Sequence, residues 1–481
     1  MKSLLYIFVS IIALQSGAQT KWDLRTCVDY AMKNNITVKQ ADVQARIAAL
    51  QLQQAKLAVY PNANLSSGLG TQFGRSIDRI TNSYSNTQAL YNNFQFQSGI
   101  QVYNYGRLKN NISYSDFSAK AALADVEKAA NDAALSVCTY YLQVLAAKEQ
   151  VTISQLQIGQ TQTQLSITQK KIDAGVLPEL NLAEIEAQLA NDSSTYITAE
   201  INYEQSVLAL KGVLNLDAAA PFEVVIPDAS AIPVLPLSEL QPEPIYQLAL
   251  GTQPLQKADA FRIKAAEKNI ATSKAQLYPS LSFGVNLSSN FYNSFNKIDS
   301  YTFSGYSPNG DKVNIGGNQY DVTSPVVSVK ESKNSFGQLW SGYGNQLNNN
   351  FGQTLGFSLS VPIFNNGQYR TAYEQSKLNY KSQLLNKEGA DMTLKQNIYT
   401  SYSNAVSALQ KLNAGKKSVE SNQKAFDFAT KRYDLGLLST IDLLTNQNNL
   451  LRAKLQQVSN EYDYIFKMKL LEFYKGQGLK L

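Results

Sequence analysis

The chain has no histidine, and Cys27 and Cys138 are the only cysteines among its 481 residues. The first absence removes the usual general base and the commonest metal ligand. With two thiols and no imidazole, neither a zinc site nor a thiol–histidine pair can be assembled, so the sequence argues against an enzyme and calls for no cofactor. Charge is sparse too, at 17% of residues, and the net +6 comes from Lys and Arg scattered among Asp and Glu. That pattern speaks against a nucleic-acid surface. Past the first eighteen residues there is no apolar run of about 18 residues that could cross a membrane as a helix. Met1 to Ala18 carries one Lys, an apolar stretch from Leu4 to Leu14 and the small residues Ser16-Gly17-Ala18, which is the pattern of a cleaved secretory leader (1–18). No Cys follows it, so a lipid anchor is not expected there.

What the chain does have is a long uninterrupted helical pattern, twice. Between Gly367 and Gly436 lie sixty-nine steps without a proline, and Leu378, Leu385, Ile398, Ala405, Leu412 and Val419 recur at multiples of three and four. This predicts one helix of about 100 Å. Gly106 to Gly175 spans the same distance, and an offset of 261 aligns Gly106 with Gly367, Ile172 with Tyr433 and Gly175 with Gly436 without a gap. A fixed offset of this kind marks a duplicated unit. Each long helix turns at its second glycine and returns, first from about Glu179 to Leu210 and later through Leu444, Leu451, Val458 and Tyr462.

The segments before each long helix also repeat. Trp22 to Ala58 has helical periodicity and stops at Tyr60-Pro61, and Ile245 to Leu277 repeats it at an offset of 218, stopping at Tyr278-Pro279. The period then changes to two. Apolar residues alternate with Asn, Ser, Gly and Gln in Ala63–Phe73, Phe94–Val102, Leu281–Leu287 and Leu355–Ile363, which predicts four strands with one greasy and one wet face. The two offsets differ by 43 residues, placing an insertion in the second hairpin. Its Asn, Gly, Ser and Tyr content predicts a long exposed loop over about 289–350. The expected organisation is a first repeat (19–220), a linker (221–244) holding six of the 13 prolines, and a second repeat (245–481).

Strands of roughly ten residues match those of membrane barrels, and four cannot close. An open edge in lipid leaves backbone groups unpaired at several kcal/mol each, so copies of the chain must share one barrel. Two copies give eight strands and a filled bore; three give twelve and a channel, which the wet strand faces favour. A soluble sandwich is the alternative. The long helices require cover along their full length, as coiled-coil packing supplies.

Three motifs then stand together: Ala-Gln-Leu-Tyr-Pro-Ser-Leu-Ser from Ala275, Ser-Val-Pro-Ile-Phe-Asn-Asn-Gly from Ser360, and Gly-x-x-x-x-x-Asp-Leu-Leu from Gly436. With the duplicated order and the leader, the mature chain resembles the TolC family of outer-membrane efflux and secretion channels. The resemblance implies an α+β membrane protein: a homotrimer whose 12-stranded β-barrel, four strands per chain, sits in the outer membrane of a Gram-negative bacterium and is continued by an α-helical tunnel in the periplasm. It implies the passive exit duct of a tripartite efflux or type I secretion system. The partners would be a periplasmic adaptor, an inner-membrane transporter of RND, ABC or MFS type, and outer-membrane lipid. A secreted coiled-coil scaffold without channel activity is the rival reading, which leaves the strands unexplained.

Carried over residue by residue, the resemblance makes Gly175, Val176 and Leu177, with Gly436, Leu437 and Leu438, the adaptor-contact turns. A plain helix-turn glycine is the alternative. It places the periplasmic gate at Asp442, Thr445 and Asn181, where family members hold acidic residues, and at Tyr433, which matches a closing-network tyrosine. Leu438 stands where some members hold Arg. Ile441 and Leu444 are expected on the packing stripe, leaving Asp442 to face the lumen or to act as a helix-start carboxylate. Cys27 and Cys138 are expected at equal height below the strands, either disulfide-bonded or as two buried small side chains.

Overall fold

The computed structural model describes residues 21–77, 84–227 and 232–476; the expected leader lies outside them. In chain order the elements are helices α1 (Leu24–Asn34) and α2 (Ile36–Leu57), strands β1 (Asn62–Ile77) and β2 (Tyr84–Tyr103), then helices α3 (Arg107–Asp173), α4 (Leu180–Leu214), α5 (Pro242–Thr252) and α6 (Pro254–Ala275). Strands β3 (Ser280–Ser294), β4 (Asn296–Ile315) and β5 (Asn318–Lys333) follow, then the short helices α7 (Phe336–Leu339) and α8 (Tyr343–Asn349), strand β6 (Gly352–Ser360), and helices α9 (Gln368–Asp434) and α10 (Thr440–Tyr474). No described helix is long and apolar enough to cross a membrane. The chain divides into a helical unit and a sheet unit, the latter comprising Gln54–Asn111 and Ala271–Tyr373.

In the helical unit both long helices are 67 residues, about 100 Å at 1.5 Å per residue. Their returning partners are 35 residues each. The single helices expected over Trp22–Ala58 and Ile245–Leu277 are each broken, into pieces of 11 and 22 residues. At the first break the Asn35 side chain accepts the Thr37 N–H (2.9 Å) and donates to the Val213 carbonyl (3.0 Å), so it outcompetes the helical backbone. At the second, Pro254 excludes the helical conformation from Gln253, whose ψ is 132°.

One core gathers Cys27, Ala31, Val137, Cys138, Tyr141, Val144, Leu145, Leu210 and Leu214. A second gathers Leu240, Ile245, Ala249, Ile398, Ala405, Met468 and Leu471. Ala31 and Ala249, Val137 and Ile398, Val144 and Ala405, and Leu210 and Leu471 are fully buried, each pair separated by one of the two offsets. The proline-rich stretch, expected as a linker, is packed into these cores: Val224 and Ile232 enter the first and Leu240 the second. Tyr141 Oη donates to the Val225 carbonyl (2.6 Å), and the Leu235 N–H donates to the buried Glu472 carboxylate (2.9 Å). Cys27 and Cys138 are free thiols in the same core.

In the sheet unit the four-stranded antiparallel sheet has the order β1-β2-β3-β6, leaving β1 and β6 as open edges. The register sorts side chains cleanly. Leu65, Phe96 and Leu287 lie opposite one another, as do Ile100, Phe283 and Phe357. On the other face Asn64, Gln97, Asn286 and Thr354 form one row, and Gly99, Gly284 and Gly356 another. All four strands differ in extent from expectation. β1, β2 and β3 run further, through Asn-, Ser- and Gly-rich sequence that shows no apolar alternation, whereas β6 ends at Ser360 because Pro362 lacks a ladder donor. The exposed loop expected over 289–350 is not observed. β3 continues to Ser294, β4 and β5 form a two-stranded ribbon, and α7 and α8 cover the far end of the sheet's apolar face, burying Phe291 and Leu90 beneath Leu339, Trp340 and Tyr343.

Candidate functional site: the helix-turn end

Gly175 and Gly436 have φ of +74° and +71°, and a Cβ on either would meet nothing within 4 Å. Glycine is required there by the backbone angle rather than by space. At the first turn the Val176 N–H reaches the Lys171 carbonyl and the Gly175 N–H the Ile172 carbonyl, both at 2.8 Å; Leu437 with Arg432 and Gly436 with Tyr433 repeat this at the second. These paired bonds form the Schellman stop of each long helix. Val176 and Leu437 are exposed beyond the glycines, and Leu435 and Leu180 are exposed beside them.

The two helical hairpins are tied together around Tyr433. This side chain is buried with Ala429 and Leu443, against Leu177, Leu438 and Phe426. Its hydroxyl lies 3.2 Å from Thr168 Oγ1. Lys171 Nζ sits 4.9 Å from the centre of its ring and 3.2 Å from the Asp434 carboxylate. Across the start of the returning helices, Asn181 Nδ2 donates to Thr440 Oγ1 at 2.7 Å. Thus four of the expected residues, Tyr433, Asn181, Leu177 and Leu438, fall where the hairpins meet.

Asp442 and Thr445 are placed differently. Ser439 caps α10: its Oγ accepts the Asp442 N–H (3.1 Å) and donates to the Asp442 carboxylate (2.6 Å). Ser439 is thus a side-chain N-cap, and the Asp442 carboxylate returns to the Ser439 hydroxyl rather than to its backbone N–H. Asp442 is exposed, and Thr445, also exposed, donates to its own helix at the Ile441 carbonyl (2.7 Å). Ile441, expected on the packing stripe, is 60% exposed; Leu443 and Leu444 carry that stripe. The helix begins at Thr440, and this sets its phase so that Thr440, Leu443, Leu444 and Gln447 face inward.

Further up the hairpins is a buried polar layer that sequence reasoning missed. Thr161 Oγ1 donates to Asp192 Oδ2 (2.6 Å), Gln188 Nε2 to Asp192 Oδ1 (2.7 Å) and Gln447 Nε2 to Thr161 Oγ1 (2.8 Å). It joins α3, α4 and α10, and the carboxylate is held by hydroxyl and amide donors. The available signal was a set of polar residues at helical spacing (Gln157 and Thr161, Gln188 and Asp192) where apolar ones were expected. Thr168, Lys171 and Asp434 were also missed, since their partners lie on the other hairpin. Among the described residues no group of His, Cys, Asp or Glu could hold a metal ion.

The model of the family described as "Outer membrane efflux protein" matches residues 28–216 and 327–472. Over 480 residues the chain is 22% identical to outer membrane protein TolC of Escherichia coli (strain K12), an alignment covering 97% of this chain and 84% of that one. Among solved structures it superposes on CusC with a TM-score of 0.71 at 15% identity, covering 95% of this chain and 92% of that one. It also superposes on the Campylobacter jejuni CmeC outer membrane channel with 0.68 at 19%, covering 95% and 86%. The fold is therefore that of these channels, and because the matched segments make up well over half of its length, the chain belongs to the outer membrane efflux protein family.

Proposed function

We propose that three copies of the chain close one 12-stranded β-barrel in the outer membrane, and that the trimer is the exit duct of a tripartite efflux or type I secretion system. The observation that carries this reading is the four-stranded sheet, apolar on one face, polar on the other and open at both edges. The apolar face suits lipid, the Asn, Gln, Ser and Gly rows suit a water-filled bore, and each open edge needs a strand from a neighbouring copy. β6, at 9 residues, is about the length a tilted membrane strand requires. α7 and α8 cover the apolar face beyond it, and in this reading lipid contact ends there. Equal helix lengths and equivalent buried positions at the two offsets support a chain built from two repeats, 19–220 and 245–481, joined by the stretch 221–244.

In this reading conduction is passive. Energy comes from an inner-membrane transporter reached through a periplasmic adaptor, and the exposed apolar tips at Val176 and Leu437 are the adaptor contacts. The gate is the zone where Tyr433, Asn181 and Thr440 join the two hairpins, with Asp442 as the carboxylate that repeats around the threefold axis. Native mass spectrometry of the detergent-purified protein, with planar-bilayer recording, tests the assignment. A trimer that conducts ions is expected; a monomer, or a trimer without conductance, would refute it.

A further inference from the structure

The β4–β5 ribbon has a built apolar face. On β4 the large apolar residues Ile298, Tyr301, Phe303 and Tyr306 are spaced by three, two and three, which in a regular strand would scatter them over both faces. The ladder shifts register between Ile298 and Ser300 and again between Phe303 and Gly305, so Asp299 and Ser304 are the extra residues of two bulges. Each bulge restores phase. Tyr301 therefore lies opposite Val329, Phe303 opposite Val327 and Tyr306 opposite Pro325, all on one side. The other side carries Ser300 opposite Lys330, Thr302 opposite Ser328, Gly305 opposite Val326 and Ser307 opposite Ser324, with Val326 the one large apolar side chain among these pairs.

Among the described residues this face is uncovered: Tyr301, Phe303 and Tyr306 are 61%, 57% and 71% exposed, and the two-stranded sheet has no third strand. A two-stranded ribbon is marginal in water without packing partners. We infer that the apolar face of the ribbon packs against the same ribbon of neighbouring copies, so that three ribbons extend the trimer contact beyond the barrel strands. This rests on the trimer reading above. Two observations select a second copy as occupant. The ribbon grows directly out of β3, whose partner β6 is the open edge that a neighbouring copy must fill, so the contact continues that interface. The ribbon's charge is also balanced, Lys297, Lys312, Lys330 and Lys333 against Asp299, Asp311, Asp321 and Glu331, so copies meet without net repulsion. An anionic lipid surface would favour an excess of cations.

Single-cysteine scanning of the full-length protein tests this, with unmodified protein as control because both native thiols are buried. Phe303→Cys and Val327→Cys on the apolar face, and Thr302→Cys and Ser328→Cys on the polar face, are purified as oligomers, sized by native mass spectrometry and treated with a short bis-maleimide. Covalent dimers at positions 303 and 327, several-fold above those at 302 and 328, are expected. A trimer with equal linking on both faces, or with none at 303 and 327, overturns the inference alone. The same result follows if probes at these two positions are quenched by brominated lipid in vesicles, which would make lipid the occupant. The absence of any trimer overturns the parent reading instead.

Discussion

At the scale of single residues, the observed contact of Asp442 with the helix cap and its proposed place in the gate are separable by mutation. One carboxylate oxygen accepts from the Ser439 hydroxyl, while the residue stays exposed. Asp442→Asn keeps an acceptor for that hydroxyl and removes the charge, so folding stability should change little while cation preference weakens. Ser439→Ala does the reverse, costing about 1 kcal/mol of helix-start stability with selectivity kept. Reversal potentials across a salt gradient, read beside thermal unfolding of both variants, check the pair; an unchanged potential in Asp442→Asn removes it from the gate. The two thiols make a second prediction. Burial pushes both Cys27 and Cys138 up to about 12. At pH 8 the thiolate is then present at roughly one part in ten thousand, and the thiolate is the reactive form. Iodoacetamide should leave both untouched in the native protein and label both after denaturation without reductant; one intramolecular disulfide in the mass spectrum would contradict the free-thiol core. Reactivity should rise with pH, because the folded protein holds the neutral form.

At the scale of elements, the strands of the four-stranded sheet differ on their two faces, and the proposed barrel makes opposite demands on them. Phe96 lies opposite Leu287 and Phe357 opposite Phe283, whereas Gln97 lies opposite Asn286 and Ser358 opposite Ser282. Phe96→Arg or Phe357→Arg should cost about 2 to 4 kcal/mol if the residue sits near mid-bilayer, and should reduce assembled protein in outer-membrane fractions. Gln97→Arg and Ser358→Arg should assemble normally and alter conductance. Equal assembly defects on both faces would contradict the assignment. The strand periods were legible because the apolar set alternates without interruption through Leu281–Leu287, and in Ala63–Phe73 only Ser67 and Thr71 stand at in-phase positions. The ribbon was not, because bulges at Asp299 and Ser304 broke the period and left a composition that reads as loop.

At the scale of the whole molecule, the large hydrophobic side chains left exposed on a single chain call for neighbours. Leu65, Leu69 and Phe73 on β1, and Leu355, Phe357 and Leu359 on β6, are all well exposed. In the proposed trimer, lipid would cover such faces and neighbouring copies would pair the edges. Sheet closure through shared strands is cooperative, so the oligomer should resist detergent until heat opens the ladders. Unheated samples on denaturing gels should run as a trimer and boiled ones near the 53.1 kDa of the single chain or below it by the expected leader; monomeric migration before heating would argue against strand sharing.

What the sequence determined by itself was local: two 67-residue helices, their glycine stops, the wet and greasy strand faces, and the two offsets relating the halves. Helix and strand periods and a Schellman glycine depend on residues within a few positions of one another, so they survive in the linear text. Tertiary structure decided which distant residues meet. Thr168 finds Tyr433 265 positions away, Asn181 finds Thr440 across 259, and Gln447 reaches Thr161 across 286. It also packed Val224, Ile232 and Leu240 of the proline-rich stretch into the two cores. Such pairings depend on the phase in which two helical hairpins lie against each other, and no local pattern carries that information.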